Sequence, residues 1–424
     1  MGSMFSMFWR RRVAGPAVVL LSVVGGASAV AIATASSSAS GVTPVTTEAE
    51  FRTAWANDAT ITLGANITLT CFEKSSPGGS EAVRNDVSGA GTLEGAGFTI
   101  TQTCPNTRVL QIAGTTGDMT IENVTVTGGQ AVFDTFSGNG GGGIQNTSDG
   151  ALTVIDSTFT GNHTCEGGGG IENDSETALT VIGSTFTNNF ADYAGAFTPY
   201  QGNATVTNST ITGNTAASGA GGIVAETDLN LAYSTVVGNT MNPSLTLPEC
   251  AANSGATTKD AHEHLHKAAP AGDPANINTG DEDGTFTSFG NIVTNPIGGA
   301  NCEVFDQHAS QGYNFSDDTS CMFDNATDKA ATGNDPKLNS LGAWGGPTQT
   351  MLPFTPRYGG TTSPVIDAIP AAACKTGLAA DVTTDQRGVT RPQLVGCDIG
   401  AVEVTQDDLQ VKAAEVVLPP KFTG

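Results

Sequence analysis

The stretch Gly141-Gly142-Gly143-Ile144 leads through Ala151-Leu152-Thr153-Val154-Ile155 to Phe159-Thr160-Gly161-Asn162. The same order of small residues, an apolar residue and a closing apolar-x-x-Asn step returns three times along the chain. The residues equivalent to Ile144 follow at spacings of 27, 26 and 26 residues and are Ile171, Phe197 and Ile223. A repeat of roughly 20–50 residues indicates a solenoid or a propeller.

The interior of each repeat indicates β-strands. Leu152-Thr153-Val154 and Leu179-Thr180-Val181 alternate apolar and polar residues, as half-buried strands do. No helical pattern intervenes, and a propeller blade needs about 40 residues. The observed repeat length fits one coil of a three-sided solenoid, whose coils lie about 4.8 Å apart. The sequence therefore predicts an all-β fold: a single-stranded, right-handed parallel β-helix of the pectin lyase-like type.

The repeats resemble those of the chlamydial-type polymorphic outer membrane proteins and related right-handed β-helix proteins. The C-terminal part resembles the choice-of-anchor Q domain of bacterial surface proteins. The strings that carry this second resemblance are Gly312-Tyr313-Asn314, Asp335-Pro336-Lys337-Leu338, Gly345-Gly346-Pro347-Thr348, Ser363-Pro364-Val365-Ile366-Asp367-Ala368, Asp385-Gln386-Arg387-Gly388-Val389-Thr390-Arg391-Pro392 and Gly396-Cys397-Asp398-Ile399-Gly400-Ala401-Val402-Glu403. Together the two resemblances imply a bacterial surface protein.

The N-terminus predicts export. A basic stretch, Arg10 to Arg12, precedes an apolar run at 13–33 that ends in small residues suited to cleavage. We therefore expect a signal peptide at 1–35 and a linker at 36–46, and an uncleaved membrane anchor is the alternative. The predicted location is extracellular or at the cell surface.

The remaining chain divides by composition and pattern. Thr47 and Glu50 form a capping box, which predicts a short helix at 47–57 that covers the first coil. We assign 47–403 to the β-helix, with an inserted long loop at 240–300, and 404–424 to a tail. The choice-of-anchor Q-like part is 301–403, and its last segment, 385–403, is expected to finish the far end of the solenoid.

The charge limits the partners. The formal net charge is −24, which disfavours nucleic acid and anionic lipid surfaces. From Val109 to Thr258 the chain contains no Lys and no Arg, so the regular coils offer no basic group to a polysaccharide lyase mechanism. We expect a monomer that binds a glycan or a protein at the cell surface and that meets a membrane only through an uncleaved N-terminal segment.

The eight cysteines include no CxxC pair, so disulfides are a better interpretation than a thiolate metal site. Their connectivity does not follow from the sequence. Closeness in the chain favours two pairs, Cys71 with Cys104 and Cys374 with Cys397.

Few residues suggest catalysis. A glycoside hydrolase of this fold needs paired carboxylates about 5–9.5 Å apart. The adjacent Asp317 and Asp318 are the candidates, although solvated turn aspartates explain them equally simply. Arg387 and Arg391 are better explained by structural ion pairs with Asp385 or Asp398.

Two clusters contain metal-ligand types. His262, His264 and His266 alternate and suit Zn²⁺ or Ni²⁺ only on an extended strand. Asp281 and Asp283 offer oxygen ligands to Ca²⁺. Both clusters are also typical of solvated loops, so the prediction is no cofactor, with Ca²⁺ binding kept as the alternative.

The predicted function is noncatalytic binding or adhesion. Ligand contacts would come from exposed aromatic residues, for which the candidates are Tyr193, Phe197, Tyr200 and Tyr233. The asparagines that close the repeats are expected to satisfy corner backbone groups instead, and they are Asn162, Asn189, Asn214 and Asn239. Two alternatives stay open: a polysaccharide lyase or glycoside hydrolase of the pectin lyase-like fold, and a structural surface spacer.

Overall fold

Each sequence repeat forms one coil of a parallel β-helix, because its apolar residues pair with the same residues of the next repeat. Leu152 lies beside Leu179, and Phe159 lies beside Phe186, in parallel register. The computed structural model describes residues 43–57, 60–71, 81–85, 89–114, 117–132, 140–244, 250, 273–279, 284–304, 307–358 and 361–410. These residues confirm the predicted all-β, parallel solenoid fold.

Four parallel sheets run along the solenoid, and we name them A to D in the order in which a coil visits them. Sheet A contains Thr60–Thr62, Gly91–Glu94, Met119–Glu122, Leu152–Ile155, Leu179–Ile182, Ala204–Thr207, Leu229–Ala232, Phe286–Phe289 and His308–Ser310. Sheet B contains Ile67–Leu69, Thr99–Gln102, Thr125–Thr127, Thr158–Thr160, Thr185–Thr187, Thr210–Thr212, Thr235–Val237, Ile292–Thr294, Phe315–Ser316 and Lys329–Ala330. Sheet C contains Gln130–Ala131, His163–Thr164, Phe190–Tyr193, Thr215–Ser218 and Thr240–Met241. Sheet D contains Ala82–Asn85, Leu110–Gly114, Ile144–Ser148, Ile171–Asn173, Phe197–Pro199, Ile223–Ala225, Ile277–Thr279 and Cys302–Val304.

The other elements are short. Two α-helices, α1 (Glu48–Asn57) and α2 (Gln406–Leu409), lie near the two ends of the described chain. Two single-turn 3-10 helices, Pro356–Tyr358 and Gly377–Ala379, and one antiparallel pair, Ile369–Pro370 with Gly396–Cys397, belong to the C-terminal part.

The inward-facing side chains form continuous apolar columns. Ile144, Leu152, Val154 and Phe159 are fully buried, as are their equivalents in the next coil. The Phe159 and Phe186 rings stack with centroids 4.9 Å apart. Full burial of such a side chain contributes about 1.5–3 kcal/mol, so these columns supply most of the driving force for folding.

A buried column of asparagines joins the corners that follow sheet B. The Nδ2 atoms of Asn162, Asn189 and Asn214 each donate to Oδ1 of the next asparagine, at 3.1, 3.0 and 2.9 Å. Each acceptor Oδ1 also accepts the backbone N–H of the preceding asparagine. The column continues through Asn239, Asn276 and Asn301. The structural role predicted for the repeat asparagines is confirmed.

Helix α1 begins at Glu48, one residue after the predicted start. Glu50 N donates to Thr47 Oγ1 at 3.3 Å, and Thr47 N donates to Glu50 Oε2 at 3.1 Å, which is the predicted capping box. Phe51 and Trp55 are fully buried in the same apolar core as the first coil. The helix therefore covers the exposed end of that core.

The segment 385–403 lies along the side of the coils, across the corner between sheets A and B. Gln386 Nε2 donates to Ser184 O at 3.3 Å, and Gly400 N donates to Gly290 O at 2.8 Å. The prediction that this segment finishes the far end of the solenoid was therefore wrong. Its polar groups instead donate to corner carbonyls of the coils, including Ser184 O, which also accepts from Thr210 N of the next coil.

Buried arginines hold this C-terminal part in place. Arg391 Nη1 lies 2.9 Å from Glu403 Oε2, and its guanidinium lies over the Tyr233 ring, 4.1 Å from the centroid. Arg387 pairs with Asp385 at 3.1 Å. Removing one partner of a buried pair costs about 3–5 kcal/mol, so both arginines have the predicted structural role. The predicted partner Asp385 is confirmed for Arg387, whereas Arg391 pairs with Glu403 rather than with Asp385 or Asp398.

All eight cysteines form disulfides, and none is free. The predicted pairs Cys71–Cys104 and Cys374–Cys397 are confirmed. Two further pairs were not predicted: Cys165–Cys250 and Cys302–Cys321. A chain with four disulfides and no free thiol is typical of an oxidising, extracellular environment.

The predicted loop at 240–300 is shorter than expected. Residues from Ile277 to Thr294 form another coil, in which Ile277 pairs with Ile223 and Phe286 pairs with Leu229. This coil lacks the glycine-rich opening, and its Ile292-x-x-Asn295 step is displaced by one residue, because Val293 rather than Ile292 pairs with Val236 of the preceding coil. The repeat pattern therefore missed it.

Two other boundaries also differ from the prediction. The last parallel strand is Lys329–Ala330, well before 403. The predicted tail at 404–424 begins with α2, which Thr405 and Asp408 cap reciprocally. The predicted signal peptide and most of the linker lie outside the described residues.

We predict that Asn214→Ala lowers the free energy of unfolding by about 3 kcal/mol or more, because it leaves buried partners in two coils unsatisfied. Urea unfolding of the purified protein measures this loss. The matched control is Asn203→Ala, since Asn203 is exposed and outside the column. Equal effects of the two substitutions would contradict a structural role for the column.

Candidate functional site: a tyrosine–carboxylate cluster on sheet D

The outward-facing row of sheet D is polar and yet buried. Ile144 and Ile171 point into the core, so Gln145 and Glu172, which follow them, point outward. The parallel register places Gln145 beside Glu172 and Glu172 beside Thr198. All three side chains are buried. Val224, Asn278 and Glu303 continue the row in later coils.

The glycine-rich turn before each strand covers this row. A Cβ atom at Gly140 would lie 1.8 Å from Oε2 of Glu172, and one at Gly167 would lie 3.0 Å from Cγ2 of Thr198. The turn backbone therefore packs directly on the row, and a side chain at Gly140 would displace the Glu172 carboxyl group. This contact explains the first glycine of the run, whereas a Cβ atom at Gly142 or Gly143 would lie 2.5 Å from a backbone oxygen, of His163 or Gly170.

Glu172 is held by Gln145 and crowded by acids. Gln145 Nε2 donates to Glu172 Oε2 at 3.0 Å and to Asp174 Oδ2 at 3.4 Å, while Gln145 Oε1 accepts from Arg108. Burial raises the pKa of Glu172 well above its ordinary 4.5, and the nearby carboxylates of Asp174 and Glu166 raise it further. Arg108 and Gln145 offset only part of this effect. Glu172 therefore keeps its proton where a free glutamic acid has lost it.

Two of the predicted ligand residues complete the cluster. Tyr193 is 6% exposed, and its hydroxyl donates to Glu226 Oε1 at 2.5 Å. Tyr200 is partly exposed. Burial raises the pKa of the Tyr200 phenol, and the carboxylates of Glu226, Glu172, Asp174 and Glu166 raise it further. Four acidic groups thus act electrostatically on one phenol.

We call this set the tyrosine–carboxylate cluster and define it as Glu166, Glu172, Asp174, Tyr193, Tyr200 and Glu226. Its floor is buried, whereas Glu166, Asp174 and Tyr200 form a partly exposed rim. The cluster contains many hydrogen-bond acceptors. Among the described cations, Arg108 acts on it by lowering the pKa of Glu172 in part. It suits a ligand that is rich in donors and carries no negative charge.

The other two predicted aromatic contacts are not exposed. Phe197 is fully buried in the core, where its ring centroid lies 5.0 Å from that of Phe186. Tyr233 is fully buried beneath the C-terminal part, and its hydroxyl donates to Cys374 O at 2.8 Å. The expectation of an exposed aromatic stripe is corrected: Phe197 and Tyr233 are structural, because their positions face the core and a covered corner.

Asp317 and Asp318 end the asparagine column. Asn301 Nδ2 donates to Asp317 Oδ1 at 2.6 Å, and Asn301 N donates to Asp318 Oδ2 at 2.9 Å. Burial alone would raise the pKa of Asp318, but hydrogen bonds from Ser320 and Asn301 lower it below its ordinary value. Both carboxylates are occupied by structural donors, which favours the turn interpretation over a catalytic pair.

The predicted metal ligands cannot be placed. His262, His264, His266, Asp281 and Asp283 all lie outside the described residues. Within the described part of the chain, no group of three or more His, Cys, Asp or Glu residues is arranged to hold a metal ion.

The sequence analysis missed Glu166, Glu172, Asp174 and Glu226. One signal was present in the repeat alignment. The residue directly after the apolar residue of the opening motif is Gln145, Glu172 or Thr198 in the first three repeats and Val224 in the fourth. The polar part of the outward row could therefore have been recognised. The other three acids approach it only through turns whose path the repeat does not specify.

Comparisons with known protein families, with curated proteins and with solved structures found no match to this chain. Among the described residues, no helix is both long and apolar enough to cross a bilayer.

We predict that Glu172→Gln stabilises the protein at about pH 8 and has little effect at about pH 4. A carboxyl pKa that is raised by folding gives the folded state extra protons, so this contribution is present below pH 4.5 and is lost as the pH rises through the folded-state pKa. Thermal unfolding across this pH range measures the difference. Glu176→Gln, at an exposed site nearby, is the control. A difference between Glu172→Gln and the parent that is constant with pH would contradict the burial of a protonated Glu172.

Proposed function

We propose that the chain is a noncatalytic extracellular or cell-surface β-helix protein that binds a glycan at the tyrosine–carboxylate cluster. The observation that carries the proposal is the stacking of Asp174, Tyr200 and Glu226 directly after three successive sheet D strands, where Tyr200 N donates to Asn173 O at 2.8 Å and Glu226 N donates to Pro199 O at 3.3 Å. Ligand sites combine a few convergent polar groups with an aromatic surface, and this cluster offers both.

The chemistry of the cluster selects among ligands. Ionised carboxylates only accept hydrogen bonds, and sugar hydroxyls supply donors to them. The exposed part of Tyr200 offers an aromatic face for a sugar ring. Anionic polysaccharides and nucleic acids are repelled by the acids and by the net charge of −24. A neutral or amino-bearing glycan is the expected ligand, and a protein partner is the alternative.

The proposed location rests on several features of the chain. Four disulfides suit an oxidising exterior, and the first 35 residues have the pattern of a signal peptide. The resemblance to polymorphic outer membrane proteins and choice-of-anchor Q domains supports surface display of a bacterial protein. A long solenoid presents a rigid surface of this kind without needing an oligomer, so we retain the expectation of a monomer.

We predict that Tyr200→Ala and Asp174→Asn each weaken glycan binding about tenfold, the effect of losing roughly 1.4 kcal/mol of contact. A glycan panel followed by titration of the best ligand measures this effect. Glu176→Gln, which is close in sequence but outside the cluster, should bind like the parent. Binding that both cluster variants retain would place the ligand elsewhere.

One observation favours an enzyme as the second candidate. A protonated Glu172 beside Asp174 is the combination of general acid and carboxylate that glycoside hydrolases use. Release of reducing sugar that Glu172→Gln abolishes would establish this alternative over simple binding. Silence in both binding and turnover assays would favour a structural surface spacer.

A further inference from the structure

A second group of oxygen ligands lies farther along the outward row of sheet D. Asn278 and Glu303 are parallel register partners in neighbouring coils. The Asn278 amide faces the Glu303 carboxyl group, with Nδ2 at 3.4 Å from Oε2. Both residues belong to coils that follow the tyrosine–carboxylate cluster, and neither contributes to it.

Two buried oxygens at this place have no hydrogen-bond partner. They are Oδ1 of Asn278 and Oδ1 of Asp273, on residues that are only 7% and 6% exposed. An unsatisfied buried acceptor costs about 1–3 kcal/mol, so each of these two oxygens calls for an explanation. Neither Asp273 nor Glu303 forms an ion pair with a described Lys, Arg or His side chain.

The repeat geometry directs Asp273 toward Glu303. Asp273 occupies the position four residues before the first apolar residue of its sheet D strand, as Gly140 and Gly167 do in earlier coils. Gly140 and Gly167 pack at that position on the outward row of the next coil, on Glu172 and Thr198, whereas Gly219 packs on Tyr193 and Val224. Asp273 belongs to the coil of Asn278, and the row residue of the following coil is Glu303.

The electrostatics agree with this placement. Burial raises the pKa of Glu303, and the Asp273 carboxylate raises it further. Burial also raises the pKa of Asp273, although a hydrogen bond from the Gly219 backbone lowers it in part. The Asp273 carboxylate therefore acts on Glu303, and neither of the two forms an ion pair with a cationic side chain that the structure describes.

We propose that Asp273, Asn278 and Glu303 form a binding site for a divalent cation, with Ca²⁺ as the ion that fits. Ca²⁺ prefers carboxylate and amide oxygens and completes its shell with water, and a half-turn of the Asn278 amide presents Oδ1 toward Glu303. The set differs from Asp281 and Asp283, the earlier candidates. It contains two carboxylates and one amide, so it differs from the groups of three or more His, Cys, Asp or Glu residues that are absent from the described part of the chain.

The ion would have a structural role. Asp273 directly follows the segment 251–272, and Asn278 and Glu303 belong to two successive coils. A cation shared by the three residues satisfies both unpartnered oxygens and removes the repulsion between the carboxylates. It stabilises the solenoid where the regular repeat is interrupted. This role does not depend on ligand binding at the tyrosine–carboxylate cluster.

The test is thermal unfolding of the full chain in EGTA and in millimolar Ca²⁺, with calorimetric titration of Ca²⁺. We expect Ca²⁺ to raise the parent Tm by about 2–6 °C. Glu303→Gln should have a Tm in EGTA at or above that of the parent, because one of two repelling carboxylates is gone, and should lose the Ca²⁺ response. Asn278→Ala should weaken Ca²⁺ binding about tenfold or more.

Two controls locate the ion. Glu176→Gln and the double variant Asp281→Asn/Asp283→Asn should keep the full response. The proposal is overturned if millimolar Ca²⁺ leaves the parent Tm unchanged, or if Glu303→Gln keeps the response of the parent. Loss of the response only in the Asp281/Asp283 variant also overturns it, because the ion then binds outside the set. If Asn278→Ala does not fold, Glu303→Gln decides alone.

Discussion

The parallel register between coils is the constraint on which the rest of the structure depends. Backbone hydrogen bonding places each residue about 4.8 Å from its equivalent in the next coil, so every position becomes a column. Apolar columns gain from this arrangement, as the stacked Phe159 and Phe186 show. An amide column also gains, because an asparagine both donates and accepts. Acids at neighbouring column positions repel each other, so a fold of this kind tolerates them only with compensation.

An amide column has a direction, and its last member needs an acceptor that donates nothing. Asn301 finds this acceptor in Asp317 and Asp318. A second column, of serines and asparagines at the corners between sheets A and B, ends in the same way: Asn314 N donates to Asp328 Oδ1 at 2.8 Å. Each of the two columns therefore ends at carboxylates, which accept the last hydrogen bonds and have none to donate. This explains why Asp317 and Asp318 have a structural role.

The features that the sequence predicted correctly depend on one repeat or on neighbours in the chain: the parallel coils, the apolar columns, the capping box and two disulfides. The features that it missed depend on contacts between distant segments. The coil at 277–294 lacks the glycine-rich opening, and the contact between Gln386 and Ser184 joins residues that no local pattern relates. The acids around Tyr200 come from several coils and turns. A repeat alignment identifies their columns but not the path of the turns that bring them together.

The acids of sheet D are an exception to the favourable stacking of like residues in the solenoid. Elsewhere like residues stack because stacking is favourable, whereas Glu172 is buried among Asp174 and Glu166 at an energetic cost. Gln145 and Arg108 offset part of that cost. Farther along the same row, Asp273 and Glu303 form a second group of carboxylates. The chain has few cations that could compensate either group. Departures from local consistency concentrate at functional sites, because a bound ligand or ion repays the cost. The outward row of sheet D is therefore the face on which ligand chemistry is to be sought.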